Sequence, residues 1–188
     1  MTRLLITVAF VTVAAPVALA ADKEDPRFRS WADAGVGSHS AIRVTLHYLK
    51  REPFVVHLKL VKLDKKFGEL ESWATKADGK TPTGSMPTKD RIAAYPTVQF
   101  QGRQPIRVFT DDDNDPDIKV TRSKEVLTIK GVKFECAKKV SAYKGGKTET
   151  EWFSPSVPGY IVQKKVVSNQ GELLETWELI DWKTNKQK

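Results

Sequence analysis

The sequence predicts a mainly β protein, a curved antiparallel sheet or half-barrel meander with a short N-terminal helix and a small helical or loop cover. Three observations carry this. Apolar residues alternate with polar ones at period two, as in Ile42, Val44 and Leu46 against Arg43, Thr45 and His47, the pattern of a strand with one buried face. Turn signals interrupt such runs at short intervals, notably Lys130-Gly131, Gly145-Gly146 and Asn169-Gln170-Gly171, where glycine accepts positive φ. A helical pattern is confined to one short stretch, residues 25 to 34.

The chain opens with a positive start, Met1-Thr2-Arg3, then an apolar run from Leu4 to Val17 and the small-x-small sequence Ala18-Leu19-Ala20. This is the pattern of a secretory signal peptide over residues 1–20, too short to be a comfortable membrane span. The expected mature protein begins at Ala21 and is one β-rich domain over residues 21–188. It is expected to be periplasmic or extracellular, with no transmembrane segment after cleavage. The single cysteine, Cys136, means that a core rather than disulfides stabilises it. A formal net charge of +8 favours anionic neighbours, and after export these are lipids or polysaccharides rather than nucleic acid. The lysines are scattered over many strands, as expected of a solvated surface.

In chain order, Asp25 can cap the helix, Pro26 suits its first turn and Gly35 ends it. Phe28 and Trp31, three apart, share its apolar face. A strand through Ile42 to Tyr48 turns at Lys50 to Pro53 into a second, with Phe54, Val56, Leu58 and Leu60 on one face, and Leu70 and Trp73 mark a third. Residues 76 to 96, rich in glycine and proline, predict an irregular segment with a helical turn near Lys89 to Ala94. Short strands are expected at Thr97 to Gln101 and Pro105 to Thr110, followed by the acidic turn Asp111 to Asp117. From Ile118 a meander runs to Trp182.

Its most defined feature is the corner Trp152-Phe153-Ser154-Pro155-Ser156-Val157-Pro158-Gly159-Tyr160. Pro155 and Pro158 remove backbone donors and forbid a regular ladder. Gly159 is free to take positive φ, and Val157 completes the corner.

The corner, a Trp before Gly-Val-Gly-Ser, and the strand Gly-Val-Lys-Phe-Glu-Cys resemble a group of uncharacterised bacterial exported proteins. The architecture resembles that of the LolA/LolB-like lipoprotein carriers, in which a curved sheet holds lipid on its concave side beneath helices. A closed lipocalin-like barrel is the competing topology. The resemblance implies a non-enzymatic binder or carrier of a hydrophobic or amphipathic cell-envelope ligand. The alternative is an envelope protein that meets an anionic polysaccharide or another protein through its basic surface.

The chemistry visible in the residues agrees with a binder. Phosphate loops, nucleophile elbows and zinc helices are absent from the sequence. If Leu46 pairs with Leu58, His47 faces His57, yet two imidazoles without a third ligand make no zinc site. Asp111, Asp113, Asp115 and Asp117 alternate like a calcium loop, but Pro116 and Arg122 stand where that loop needs glycine and glutamate. No metal and no cofactor are expected. Cys136 shares strand parity with Phe134 and is expected to be a buried, inert thiol. Phe28 and Trp31 on the helix, with Trp152 and Tyr160 at the corner, are the residues expected to line or gate the ligand.

Overall fold

The computed structural model describes residues 24–94, 98–101, 104–107 and 115–185. The expected signal peptide and Asp111 and Asp113 of the acidic turn lie outside them. Helix α1 spans Pro26–Ala34, with Pro26 in its first turn. The Asp25 carboxylate accepts from the Arg27 backbone N–H at 2.8 Å, and Gly35 follows the helix at φ 89°. The buried face of α1 is Phe28, Trp31 and Ala34.

The strands are β1 (His39–Leu46), β2 (Phe54–Leu63), β3 (Phe67–Lys76), β4 (Thr88–Ala93), β5 (Val98–Gln101), β6 (Gln104–Arg107), β7 (Ile118–Ile129), β8 (Val132–Tyr143), β9 (Thr148–Phe153), β10 (Ile161–Val167) and β11 (Leu173–Lys183). Strands β5 and β6 form a separate hairpin, and the other nine form one sheet in the order β4-β3-β2-β1-β11-β10-β9-β8-β7. Every neighbouring pair is antiparallel. Two meanders, β1 to β4 and β7 to β11, therefore meet along one seam between β1 and β11. Strands β4 and β7 are the two edges, so the sheet is open and not a lipocalin-like barrel.

Register shifts interrupt the ladders at Ala41/Ile42, Leu60/Lys62, Ile161/Gln163 and Val166/Val167. Such bulges bend a strand and increase its twist, which curves the sheet. At the β7–β8 turn, Lys130 and Gly131 have φ of 48° and 79°, as a two-residue primed turn requires.

Three local expectations are corrected. Residues 88–93 are not a helical turn but edge strand β4, paired with β3 from Phe67↔Ala93 to Ser72↔Thr88; the ladder offered by β3 outweighs local propensity. Tyr48 is not in the first strand. It lies in a 3-10 turn over His47–Leu49 that ends with Lys50 in the left-handed region. That turn consumes the residues that would have set His47 opposite His57. The actual register places Val44 against Phe54 and Ala41 against His57, so the two imidazoles do not face each other. His47 instead hydrogen-bonds Thr176.

Two apolar clusters hold the fold. Trp31 packs with Leu60 and Leu70, joined by Leu58, Leu63 and Ile92. Phe134, Cys136, Trp152, Val157, Val162 and Leu179 make the second.

Candidate functional site

The corner predicted between β9 and β10 is the piece that ties the sheet to the helix. Its ends close on themselves, with the Ser154 N–H donating to the Tyr160 carbonyl at 2.8 Å and the Tyr160 N–H to the Val157 carbonyl at 2.9 Å. Gly159 takes φ 88°, and Tyr160 itself takes φ 73°. Val157 and Pro158 are fully buried, while Pro155 and Ser156 face outward. The Gly159 N–H donates to Ser30 Oγ on α1 at 3.2 Å. A Cβ at Gly159 would lie only 3.3 Å from the Trp31 indole, so corner and helix are in direct contact.

Beside this contact lies a pocket of about 880 Å³, open on one side to solvent. One wall is the second half of α1 with Gly35 and Val36, and the opposite wall is Val132, Lys133 and Phe134 at the start of β8. Pro155 and Ser156 of the corner close one end, and Trp182 and Thr184 at the end of β11 close another. The Phe134 and Trp182 rings meet edge to face, 5.0 Å between centroids at 73°, a favoured aromatic geometry. Val36 and Val132, 41% and 45% exposed, stand in its walls, and Asp33 and Lys133 supply charges of opposite sign. Aromatic surface together with polar and charged groups is the surface an amphipathic molecule matches.

The four residues expected to line or gate a ligand lie in the core and at the corner. Phe28, Trp31 and Trp152 are core residues, and Tyr160 is half-buried, stacked on Phe153 at 5.1 Å. None of the four is among the residues lining the pocket. Trp31 stands behind it, supporting the corner through Gly159. Of the corner residues, Pro155 reaches the pocket wall, whereas Val157 and Pro158 anchor the turn beneath. Phe134 and Trp182 were legible only as strand residues, because their meeting depends on how the sheet bends between β8 and β11.

No protein-family model and no curated protein matches the chain. Solved structures do match it in shape. MucB superposes with a TM-score of 0.50 at 10% identity, over 85% of this chain and 57% of MucB. An exported protein with a YmcC-like fold from Bacteroides fragilis gives 0.48 at 12% identity, over 80% of this chain and 97% of its own. A chain classed as a lipoprotein from Parabacteroides distasonis gives 0.48 at 15% identity, over 80% and 96%. The likeness is one of fold. Among the described residues no helix is long and apolar enough to cross a membrane.

Away from α1, one cross-strand row carries charged residues. The row Val44, Trp177, Lys164, Glu151 and Lys139 runs across β1, β11, β10, β9 and β8. Lys164 pairs with Glu149 at 2.8 Å and lies over the Trp177 ring, and Lys139 pairs with Glu151 at 3.8 Å. Ion pairs therefore occupy this part of the sheet. On Trp152, Lys138 and Lys165 lie 5.3 and 5.6 Å from the ring centroid. The Trp152 indole N–H donates to Glu125 at 3.0 Å. That bond, with Lys138, holds the Glu125 carboxyl below its ordinary range.

Among the described residues no group of three or more His, Cys, Asp or Glu gathers as a metal site. His57 stacks on Trp73 with ring centroids 5.0 Å apart and hydrogen-bonds Thr75 at 2.9 Å. Burial pushes its imidazole below the ordinary 6.5, His39 adds to this, and Asp181 opposes it. The unfolded chain then takes up the proton first as pH falls, so His57 withdraws stability below pH 6.5 and none above it. Urea midpoints at about pH 7.5 and 5.5 are expected to differ less in His57→Gln than in the parent; equal differences would remove His57 as the cause.

Cys136 is buried beside Phe134, and burial raises its thiol above the ordinary value. The thiolate is the reactive form. Alkylation is expected to be negligible in the native state and complete once the chain is unfolded; rapid native labelling would contradict the packing.

Proposed function

We propose that this is an exported, non-enzymatic protein that binds an amphipathic, single-chain envelope molecule in the pocket between α1, the corner and the start of β8. The observation that carries the reading is the composition of that pocket, where Phe134, Trp182 and Leu63 share the walls with Asp33, Lys133 and Ser156. Its 880 Å³ falls within the usual range of small-molecule sites. An acyl chain lies against the aromatic pair while a polar head remains at the open side. The signal-peptide pattern over residues 1–20 supports export, which puts the mature domain where lipid-like solutes are found. The charged row from Trp177 to Lys139 makes a lipid-covered sheet face unnecessary, because its own ion pairs satisfy it.

The polysaccharide reading has less support, since Lys138, Lys139 and Lys164 are already tied to Glu125, Glu151 and Glu149. The test is titration with a fatty-acid analogue that quenches tryptophan, followed by native mass spectrometry. Saturable quenching at micromolar ligand is expected, much reduced in Trp182→Phe and weakened about tenfold or more by Val132→Asp, which buries a charge against the ligand. Absence of saturable quenching and of any retained mass would sink the proposal. A charged polysaccharide that binds in its place would establish the alternative.

A further inference from the structure

The wall formed by Gly35, Val36 and Gly37 has an unusual construction. Val36 is flanked by two glycines with positive φ, 89° at Gly35 and 87° at Gly37, so both of its backbone neighbours sit where only glycine is unstrained. On the sheet side the segment is anchored by the Gly37 N–H, which donates to the Leu60 carbonyl at 2.8 Å, and by the Ser38 N–H to the Gly35 carbonyl at 3.1 Å. On the other side it is held by one residue just past β11. The Asn185 N–H is shared between the Ala34 carbonyl and Ser38 Oγ, each at 2.8 Å, and Asn185 Nδ2 donates to the Val36 carbonyl at 2.8 Å. Ser38 Oγ, itself buried, donates to the Ala34 carbonyl at 2.7 Å. The fit is close, since a Cβ on Gly37 would stand 3.2 Å from Asn185 Nδ2. Thr184, the residue before this latch, lines the pocket, as do Gly35 and Val36.

We infer that residues 35–37 are a gate for the pocket and that Asn185 is its latch. This rests on the pocket being the ligand site. Each glycine supplies a hinge at one end of the gate, and Val36, the residue between them, carries its side chain at the pocket wall. The Val36–Gly37 peptide is held on both sides, its carbonyl by Asn185 Nδ2 and its N–H by the Leu60 carbonyl, so the gate opens when both bonds are given up, and loss of the Nδ2 bond makes that opening easier. Small rotations at hinge positions flanking a wall residue are the ordinary way a ligand is admitted and retained. In Asn185→Asp the shape and the backbone N–H remain, but the donor facing the Val36 carbonyl becomes an acceptor.

The experiment compares the parent with Asn185→Asp and Asn185→Ala in two measurements. Amide hydrogen exchange without ligand is expected to quicken about fivefold at Gly35, Gly37 and Ser38, with Val44 and Val162 unchanged. Stopped-flow mixing with a fluorescent fatty-acid analogue is expected to show association and dissociation both faster by about fivefold, with Kd moved by less than about twofold, because the open state is favoured in free and bound protein alike. Unchanged exchange at residues 35–38 overturns the latch. Faster exchange with unchanged ligand rates overturns the gate, since ligand then passes elsewhere. A parent protein that binds no analogue at all removes the pocket reading and the gate with it, an outcome distinct from a parent that binds and variants that do not differ.

Discussion

Gly159→Val is expected to be the most damaging single change in the corner, and Ser156→Ala nearly silent. Gly159 holds φ 88°, where a β-branched residue costs about 1–3 kcal/mol. Its Cβ would also press on the Trp31 indole from 3.3 Å, and overpacking of a filled site adds about 1–3 kcal/mol. Together these lower the melting temperature by roughly 4–24 °C in a domain of this size. Ser156 is exposed and its hydroxyl meets the Ser154 hydroxyl at 2.9 Å, so its removal costs no more than about 1 kcal/mol. Gly159→Ala keeps the backbone strain and the Cβ contact with Trp31, so its difference from Gly159→Val measures what the branched methyls add. Equal melting temperatures for Gly159→Val and Ser156→Ala would mean that the corner does not bear on α1 as the coordinates place it.

Trp31→Ala should cost a comparable amount, about 3–5 kcal/mol, the range for removing a large buried side chain. Trp31 is 1% exposed and fills the space between Leu60, Leu70 and Gly159. Its loss leaves a cavity exactly where three parts of the chain converge, and α1, nine residues long, is too short to persist without tertiary packing. Urea unfolding of Trp31→Ala and Trp31→Phe measures this, with Phe expected to recover part of the loss. A loss below about 1 kcal/mol for the alanine variant would show that α1 is dispensable to the fold.

Most of the architecture was legible because it is written locally. The α1 caps at Asp25 and Gly35, the primed turn at Lys130-Gly131 and the positive φ of Gly159 each follow from the chemistry of one or two residues. What escaped reading depends on partners far away in sequence. Strand β4 lies in a stretch that looks irregular and acquires its conformation from β3. The separation of His47 from His57 follows from a 3-10 turn whose length nothing nearby announces. The pocket depends on distant partners in the same way: helical spacing shows that Phe28 and Trp31 share a face, but not that they and Trp152 are packed in the core. Phe134 and Trp182 become a pair only after bulges in β2, β10 and β11 have bent the sheet.

The seam between β1 and β11 has a consequence for how the chain is made. The first strand of the sheet pairs on one side with β2, its immediate successor, but on the other with the last strand. As the polypeptide is synthesised from its N-terminus, the β1 to β4 meander emerges with one of its long edges bare. Nothing in the intervening chain takes that place in the finished sheet. Contacts this distant in sequence form slowly, and an unpaired strand edge invites pairing with other chains. The protein is thus at its most vulnerable just before its final strand appears. A chaperone that shields a strand edge until then would be protecting β1.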